Sequence, residues 1–428
     1  MKVHLKMLGC RLNQGEIDSM ARQFLQQGHE IVDDASQAEQ VIINTCAVTA
    51  DAVKSGRKLI REAHRAAPNA QISVTGCYAQ IAPHEIQTLA GVSRVVDNHA
   101  KERLVEQITG VPLEAFELEP LERTGNPRAA LRTRAFIKVQ DGCDNACTFC
   151  VTTVARGAGR SRPADEVVQE VRYLHEQMGY QEMVLTGVHL GSYGHDRGEV
   201  HGLIHLVQRL LAETAVPRLR LSSLEPWDLE ADFFALWQDA RLCPHLHLPL
   251  QSGCDATLKR MRRNTSQVAF AHLIAAARSA IPQVRITSDV IVGFPGETDA
   301  EFAESEAFIQ AMDFAGLHVF RYSVRPMTPA AKMRGQVPEA IKKTRSQRLI
   351  EHASTQEQRY AEQFIGQTQP VLWENVAGAT PEGFQNVGYT PHYVRVCAIY
   401  PRPLTSLITP THLISAHNGI VQALPVIE

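Results

Sequence analysis

The chain has 428 residues, too many for one small domain, and two or three compact domains are expected. Hydrophobic residues at 44% and charged residues at 21% exclude a disordered chain. A formal net charge of −3 excludes a polycation that coats nucleic acid, so any RNA contact must come from local patches. No apolar run approaches the ~20 residues of a bilayer span. The opening MKVHLKMLGC is too short and too mixed for a signal peptide. A cytoplasmic protein with no membrane role is the expectation. Nine cysteines are too sparse and odd in number for a disulfide scaffold, which points them to metal or redox chemistry.

In chain order, KVHLKMLG, QVIINT and QISVTG are short Val/Ile-rich runs, and SRVVD is a fourth. Helical patterns at 16–27, 51–66 and 84–90 lie between them, and another begins near Lys101. Such alternation predicts an open parallel α/β sheet covered on both faces, in a domain spanning 1–112. Residues 111–133 lose periodicity and read as a linker. A second alternating series follows, with strands expected at 135–140, 182–186, 218–221, 245–248, 285–292 and 316–322. Helices are expected at 165–177, 203–211, 267–280 and 300–312. Six βα units are too few for a closed eight-stranded barrel, so a partial (β/α)6 barrel is expected over 129–360. A long polar helix from Glu339 to about Phe364 closes it. Residues 361–428 then turn rich in Pro, Gly, Thr and Val, with no lysine after Gly366. Strand candidates at 370–374 and 393–399 suggest a small β-barrel.

The strongest local signal is Cys143-Asp-Asn-Ala-Cys147-Thr-Phe-Cys150. Zinc sites usually pair cysteines as two CxxC motifs or add histidines to reach four ligands. Here three cysteines share one loop and no fourth ligand follows at zinc-like spacing. Three thiolates on a cubane 4Fe–4S cluster leave one iron open to a small chelating molecule. Incidental cysteines, or a zinc site completed from elsewhere, are the alternatives. Cys10, Cys46 and Cys77 each end a predicted parallel strand, at the sheet edge where loops converge on ligands. The alternative is three small buried residues at strand ends. Cys243, Cys254 and Cys397 lack such spacing and read as structural thiols. His245 and His247 alternate along a strand and read as satisfied polar positions.

With Phe149 before its last cysteine, the Cys143–Cys147–Cys150 motif resembles that of the radical S-adenosylmethionine (SAM) enzymes. The resemblance implies a 4Fe–4S cluster on these three residues, with SAM on the open iron. The whole layout resembles the methylthiotransferases: an N-terminal three-cysteine domain, a radical-SAM core and a TRAM-like β-domain. That implies a second 4Fe–4S cluster on Cys10, Cys46 and Cys77, which handles the sulfur of a methylthio group. It also implies two uses of SAM, one methylating sulfur and one generating a radical. Loops after the core strands (Leu185-Thr-Gly-Val-His-Leu-Gly191, Leu221-Ser-Ser-Leu-Glu-Pro226, His247-Leu-Pro-Leu-Gln-Ser-Gly253 and Val292-Gly-Phe-Pro-Gly-Glu-Thr298) nominate Gly187, Ser222, Ser223 and Gln251 for SAM. Structural turns are the alternative for each.

Basic clusters occur at Arg128, Arg132 and Arg134, at Arg156, Arg160 and Arg162, and at Lys259, Arg260, Arg262 and Arg263. They read either as phosphate contacts or as solvated surface, and the second cluster is expected to rim the site. Gly388-Tyr-Thr-Pro-His-Tyr-Val-Arg-Val396 resembles a nucleotide-binding segment of TRAM domains, yet only Arg395 and Arg402 are basic after Gly366. Trp373, Phe384, Tyr389 and Tyr393 could stack on bases, but barrel core is the better reading. Gly9-Cys-Arg-Leu-Asn-Gln14, Asn44-Thr-Cys-Ala-Val-Thr49 and Gln140-Asp-Gly-Cys-Asp-Asn145 most resemble the branch acting on threonylcarbamoyladenosine in tRNA. Tyr322-Ser-Val-Arg-Pro-Met-Thr-Pro-Ala-Ala331 is common to several branches. The resemblance implies 2-methylthiolation at position 37, the tRNA anticodon loop as partner, and a low-potential electron donor, with the sulfur donor left open. Alternatives are isopentenyladenosine in tRNA, an aspartate of a ribosomal protein, or a non-catalytic Fe–S or zinc-stabilised RNA-binding protein.

Overall fold

A computed structural model describes residues 1–112 and 133–427. Most of the 111–133 linker, with Arg128 and Arg132, lies outside the described residues. The chain divides into two compact units. The first holds 1–163, 186–188 and 323–331; the second holds 164–185, 189–322 and 332–428.

In the first unit, strands and helices alternate as β1 (Lys2–Met7), α1 (Arg11–Gln26), β2 (Glu30–Ile31), β3 (Gln40–Thr45), α2 (Ala50–Ala66) and β4 (Gln71–Gly76). The short helices α3 (Cys77–Ile81) and α4 (Pro83–Gln87), strand β5 (Val92–Val95) and helix α5 (Leu104–Thr109) follow. The sheet order is β2-β1-β3-β4-β5, and every pairing is parallel. All four expected strands form, and the two-residue β2 edge is an addition too short to show periodicity. β3 is buried along its whole length, as a central strand covered on both faces must be. Val41, Ile43, Ile72 and Val74 fill one face, and Val3, Ile17, Phe24 and Ile42 the other. The unit continues through β6 (Arg134–Lys138), β7 (Gln140–Asp141), α6 (Thr152–Arg156) and β8 (Arg160–Ser161). Val151 and Ala155 join the same apolar cluster as Cys77, Tyr78 and Ala79, so α6 packs onto the edge of the N-terminal sheet. Gly15 lets α1 lie against β6, since a Cβ there would stand 2.7 Å from the Phe136 carbonyl oxygen.

The second unit contains α7 (Ala164–Glu176), β9 (Glu182–Thr186, its last residue in the first unit), α8 (Gly202–Glu213), β10 (Arg218–Leu221) and β11 (His245–His247). It continues with α9 (Asp255–Met261), α10 (Gln267–Ala280), β12 (Arg285–Val292), α11 (Asp299–Ala311), β13 (Gly316–Arg321) and the long α12 (Glu339–Glu362). β9 pairs with β10, and β11 with β12 and β13, all in parallel. Every expected core strand and helix is therefore present within a residue or two. Local signals fix the helix starts. Ser266 caps α10, and Thr298 with Glu301 forms a capping box on α11.

β14 (Thr368–Thr380), β15 (Gly383–Tyr389), β16 (Arg395–Tyr400), β17 (Ile408–His417) and β18 (Ile420–Pro425) close into a barrel of order β14-β15-β16-β18-β17. Its interior holds Val371, Trp373, Val396, Leu413 and Val421, with Tyr360 and Phe364 arriving from the α12 end. Trp373 is fully buried and donates its indole N–H to Thr409 Oγ1 at 2.8 Å, so it is core. Buried arginines fasten this barrel to the strands. Arg218 donates to the carbonyls of Tyr389 and Pro370, Arg220 to Pro391, and Arg285 to Tyr393. Tyr389 and Tyr393 stack on each other, and Tyr393 also meets His245 and the Arg220 guanidinium. These two tyrosines serve the docking of the barrel.

Candidate metal centres and their neighbours

All six cysteines of the two motifs fall in the first unit, and none is in a disulfide. Cys10 caps the N-terminus of α1, Cys46 follows β3, and Cys77 opens α3 directly after β4. Parallel strands β1, β3 and β4 are neighbours, so their carboxyl ends bring the three together. The contacts agree: a Cβ added at Gly9 would stand 2.8 Å from Cys46 Cβ and 3.1 Å from its sulfur, and Cys46 feels the charge of both Cys77 and Cys10. Gly9, Gly76 and Gly142 immediately precede Cys10, Cys77 and Cys143, with φ of +114°, +94° and +76°. At Gly76 a Cβ would sit 2.3 Å from the Thr45 carbonyl oxygen, and at Gly142 it would sit 1.9 Å from that of Ala158. Glycine is what permits the chain to turn each cysteine inward at these points.

The donor set fits iron–sulfur ligation. Amide N–H groups two residues on point at three of the sulfurs: Val48 N to Cys46 Sγ at 3.5 Å, Asn145 N to Cys143 Sγ at 3.4 Å, and Thr152 N to Cys150 Sγ at 3.3 Å. Such donors favour thiolate over thiol and tune a cluster's potential. Burial pushes the free Cys46 thiol up to about 11, with the Val48 amide opposing, so metal must drive its deprotonation. The Cys10 side chain reaches solvent, yet the packing around its sulfur raises the thiol, with Arg156 pulling the other way. Tetrahedral zinc at about 2.3 Å would draw thiolates to about 3.8 Å of one another. Among the described residues the trio whose ligand atoms fall within 4.8 Å is His201, Glu230 and Asp232, all exposed.

Beneath the cysteines lies a buried ion cluster that sequence reasoning missed. Glu16 takes Lys101 Nζ at 2.7 Å, Arg156 Nη1 at 3.0 Å and Asn44 Nδ2 at 2.9 Å. Arg156 also reaches Asp141 Oδ1 at 2.9 Å and Asn13 Oδ1 at 2.7 Å, and Lys138 lies 3.6 Å from Asp141. Burial alone would raise the Glu16 carboxyl, but Lys101, Arg156 and Lys138 hold it far below the usual range. Arg156 was expected at the rim, but it is 2% exposed. The available signal was α1 itself: Asn13, Gln14, Glu16 and Asp18 are polar yet buried, so they demand partners.

The other expected residues are dispersed. Ser222 follows β10, and its buried hydroxyl has no hydrogen-bond partner; Ser223 beside it is exposed. Gln251 adopts φ +74° and exchanges backbone bonds with Asp289 and Ile291. Gly187 follows β9 and is half-buried. Arg263 pairs with Glu225 and Arg260 with Glu301, so only Lys259 and Arg262 of that basic cluster are exposed. Arg160 is exposed and lies 3.4 Å from His99. Cys243, Cys254 and Cys397 are buried, His247 bonds Thr287, and no helix among the described residues is long and apolar enough to cross a membrane.

Residues 2–97 match the family described as uncharacterized protein family UPF0004, and residues 137–309 match the radical SAM superfamily, whose domains work with a 4Fe–4S cluster and SAM. The threonylcarbamoyladenosine tRNA methylthiotransferase MtaB of Bacillus subtilis (strain 168) is 38% identical over 91% of this chain and 88% of its own. The tRNA-2-methylthio-N(6)-dimethylallyladenosine synthase of Maricaulis maris (strain MCS10) is 34% identical over 87% of this chain and 86% of its own. Among solved structures, the radical SAM methyltransferase TsrM from Kitasatospora setae shares the fold, with TM-score 0.58 at 18% identity over 77% of this chain and 75% of its own. The chain belongs to the radical-SAM tRNA methylthiotransferases.

Proposed function

We propose that this enzyme converts N6-threonylcarbamoyladenosine at position 37 of tRNA to its 2-methylthio derivative. Cys143, Cys147 and Cys150 would hold one 4Fe–4S cluster, and Cys10, Cys46 and Cys77 a second. The observation that carries the reading is the pair of cysteine triads packed into one unit, in a chain more similar to the threonylcarbamoyladenosine enzyme of Bacillus subtilis, at 38% identity, than to the dimethylallyladenosine synthase of Maricaulis maris, at 34%. When bound, the first cluster with SAM supplies a radical able to activate a C–H bond, and the second cluster is where the sulfur of the methylthio group is handled.

The chain's own part is to hold, orient and shield. Positive-φ glycines aim Cys10, Cys77 and Cys143, and amides of Val48, Asn145 and Thr152 steady three of the sulfurs. Ser222, with a buried unpartnered hydroxyl, is assigned to SAM, as are Ser223, Gln251 and Gly187. A non-glycine residue held at positive φ, such as Gln251, is the kind of strain that collects at ligand sites. The anticodon loop presents its base without a duplex to open, which suits recognition of a single strand. Exposed Arg160 is assigned to a backbone phosphate. The domain limits 1–112, 129–360 and 361–428, a cytoplasmic location and a low-potential electron donor complete the reading.

The test uses protein reconstituted with iron and sulfide without oxygen, then given SAM, reductant and tRNA, followed by mass spectrometry of the nucleosides. A methylthio increment on threonylcarbamoyladenosine, and none on isopentenyladenosine, is expected. An increment only on the second nucleoside would overturn the substrate assignment.

A further inference from the structure

Arg156 belongs by sequence to one cysteine loop and by contact to the other. It ends α6, the helix that follows Cys150. Its guanidinium bonds Asn13 and Glu16 of α1, the helix that Cys10 caps, and Asp141, two residues before Cys143. Asn13 in turn donates to the carbonyls of Leu8 and Thr45, in the chain just before Cys10 and Cys46. One side chain thus touches the scaffold of both triads. It is 2% exposed, and Glu16, Asp141 and Lys101 around it are also buried.

Arg156 and Lys101 stand against the buried carboxylates of Glu16 and Asp141, and Lys138 meets the 70% exposed Glu102 at 2.6 Å. The Arg156 charge is therefore sealed against the scaffold of the Cys10 and Cys46 site, which it reaches through Asn13. A surface arginine would be screened by water, whereas a buried one is screened far less.

We propose that Arg156 is a positioning residue that couples the two triads: from the Cys143–Cys150 loop it fixes the Cys10, Cys46 and Cys77 site and sets that site's reduction potential through its buried charge. The inference rests on the ligand assignment made above. A thiolate-bound cluster carries net negative charge, which grows on reduction, so a sealed cation favours the reduced form and raises the potential.

The experiment titrates the midpoint potential by electron paramagnetic resonance in the reconstituted full chain carrying Cys143→Ala, Cys147→Ala and Cys150→Ala, which leaves one triad. Arg156→Gln should lower the potential, and Glu16→Gln, which unmasks the cation, should raise it. Arg156→Lys should stay close to the parent. Opposite shifts are the signature of charge, because mere loosening of the scaffold would move both variants the same way. Shifts of the same sign, or none, overturn the inference. If Arg156→Gln fails to fold, the upward shift of Glu16→Gln and the near-parent value of Arg156→Lys still decide it. A parent that binds no iron would instead overturn the ligand assignment, and it would do so before any titration began.

Discussion

Cys143, Cys147 and Cys150 lie in one loop, steadied by amides from within that loop, whereas Cys10, Cys46 and Cys77 come from the ends of three neighbouring strands. The first triad depends on local turn geometry. The second exists only when the β1, β3 and β4 register is correct and α1 is seated on its buried ion cluster. Two sites with the same ligands should therefore fail in different ways.

Replacing one ligand in each separates them most strongly. Cys143→Ala should reduce SAM cleavage and methylthiolation to background. Cys46→Ala should also abolish methylthiolation but keep SAM cleavage within about twofold, or about 0.4 kcal/mol in barrier. Assays of 5′-deoxyadenosine and of modified nucleoside read the two separately, and equal losses in both variants would erase the distinction.

Backbone substitutions sharpen the contrast. Gly76→Ala forces a Cβ against the Thr45 carbonyl at φ +94°, costing about 1–3 kcal/mol for the conformation and more for the clash. It should lower thermal stability and remove iron from the strand-end triad of Cys10, Cys46 and Cys77. Gly142→Ala, clashing with Ala158, should strip the loop triad first. Glu16→Ala leaves buried Arg156 and Lys101 without their carboxylate, and breaking such a cluster costs roughly 3–5 kcal/mol, read by denaturant unfolding.

Acid should act on the two units in different windows in cluster-free protein. His392, in the segment docked under Arg218 and Arg220, is held down to about 4 by burial and by those arginines. Its folded value lies below the unfolded one, near 6.5, so its contribution is intact above about pH 6.5 and is lost as pH falls toward 4. The loss is on the order of 3 kcal/mol. His392→Asn should flatten that step. Glu16 and Asp141 are also depressed, so the stability they confer persists above the ordinary carboxylate range and fades only below it. The smallest effect is expected from Arg160→Ala: a several-fold higher KM for tRNA, a salt dependence shallower by about one phosphate contact, and unchanged SAM cleavage.

Much of this was legible in the chain. Val/Ile runs separated by helical spacing gave the parallel sheet and the core strands, because those patterns report burial directly. The Cys143 motif is local, and the strand-end cysteines followed from the strands. The misreadings share one cause. Arg156, Arg260 and Arg263 look like any basic cluster in sequence, and only tertiary contacts reveal that Glu16, Glu301 and Glu225 absorb them. Tyr389 and Tyr393 raise the same ambiguity, since a stacking aromatic suits a nucleobase or an arginine of the same protein. The two-residue β2 edge is too short for any period to register.

The most direct test of two independent clusters is iron and sulfide per chain, after anaerobic reconstitution, for the unmodified protein and for each triple cysteine-to-alanine variant. About eight irons in the unmodified chain, as two cubanes require, and about four in each variant are predicted. A variant of either triad that loses all its iron would contradict the account, because the two sites would then be one.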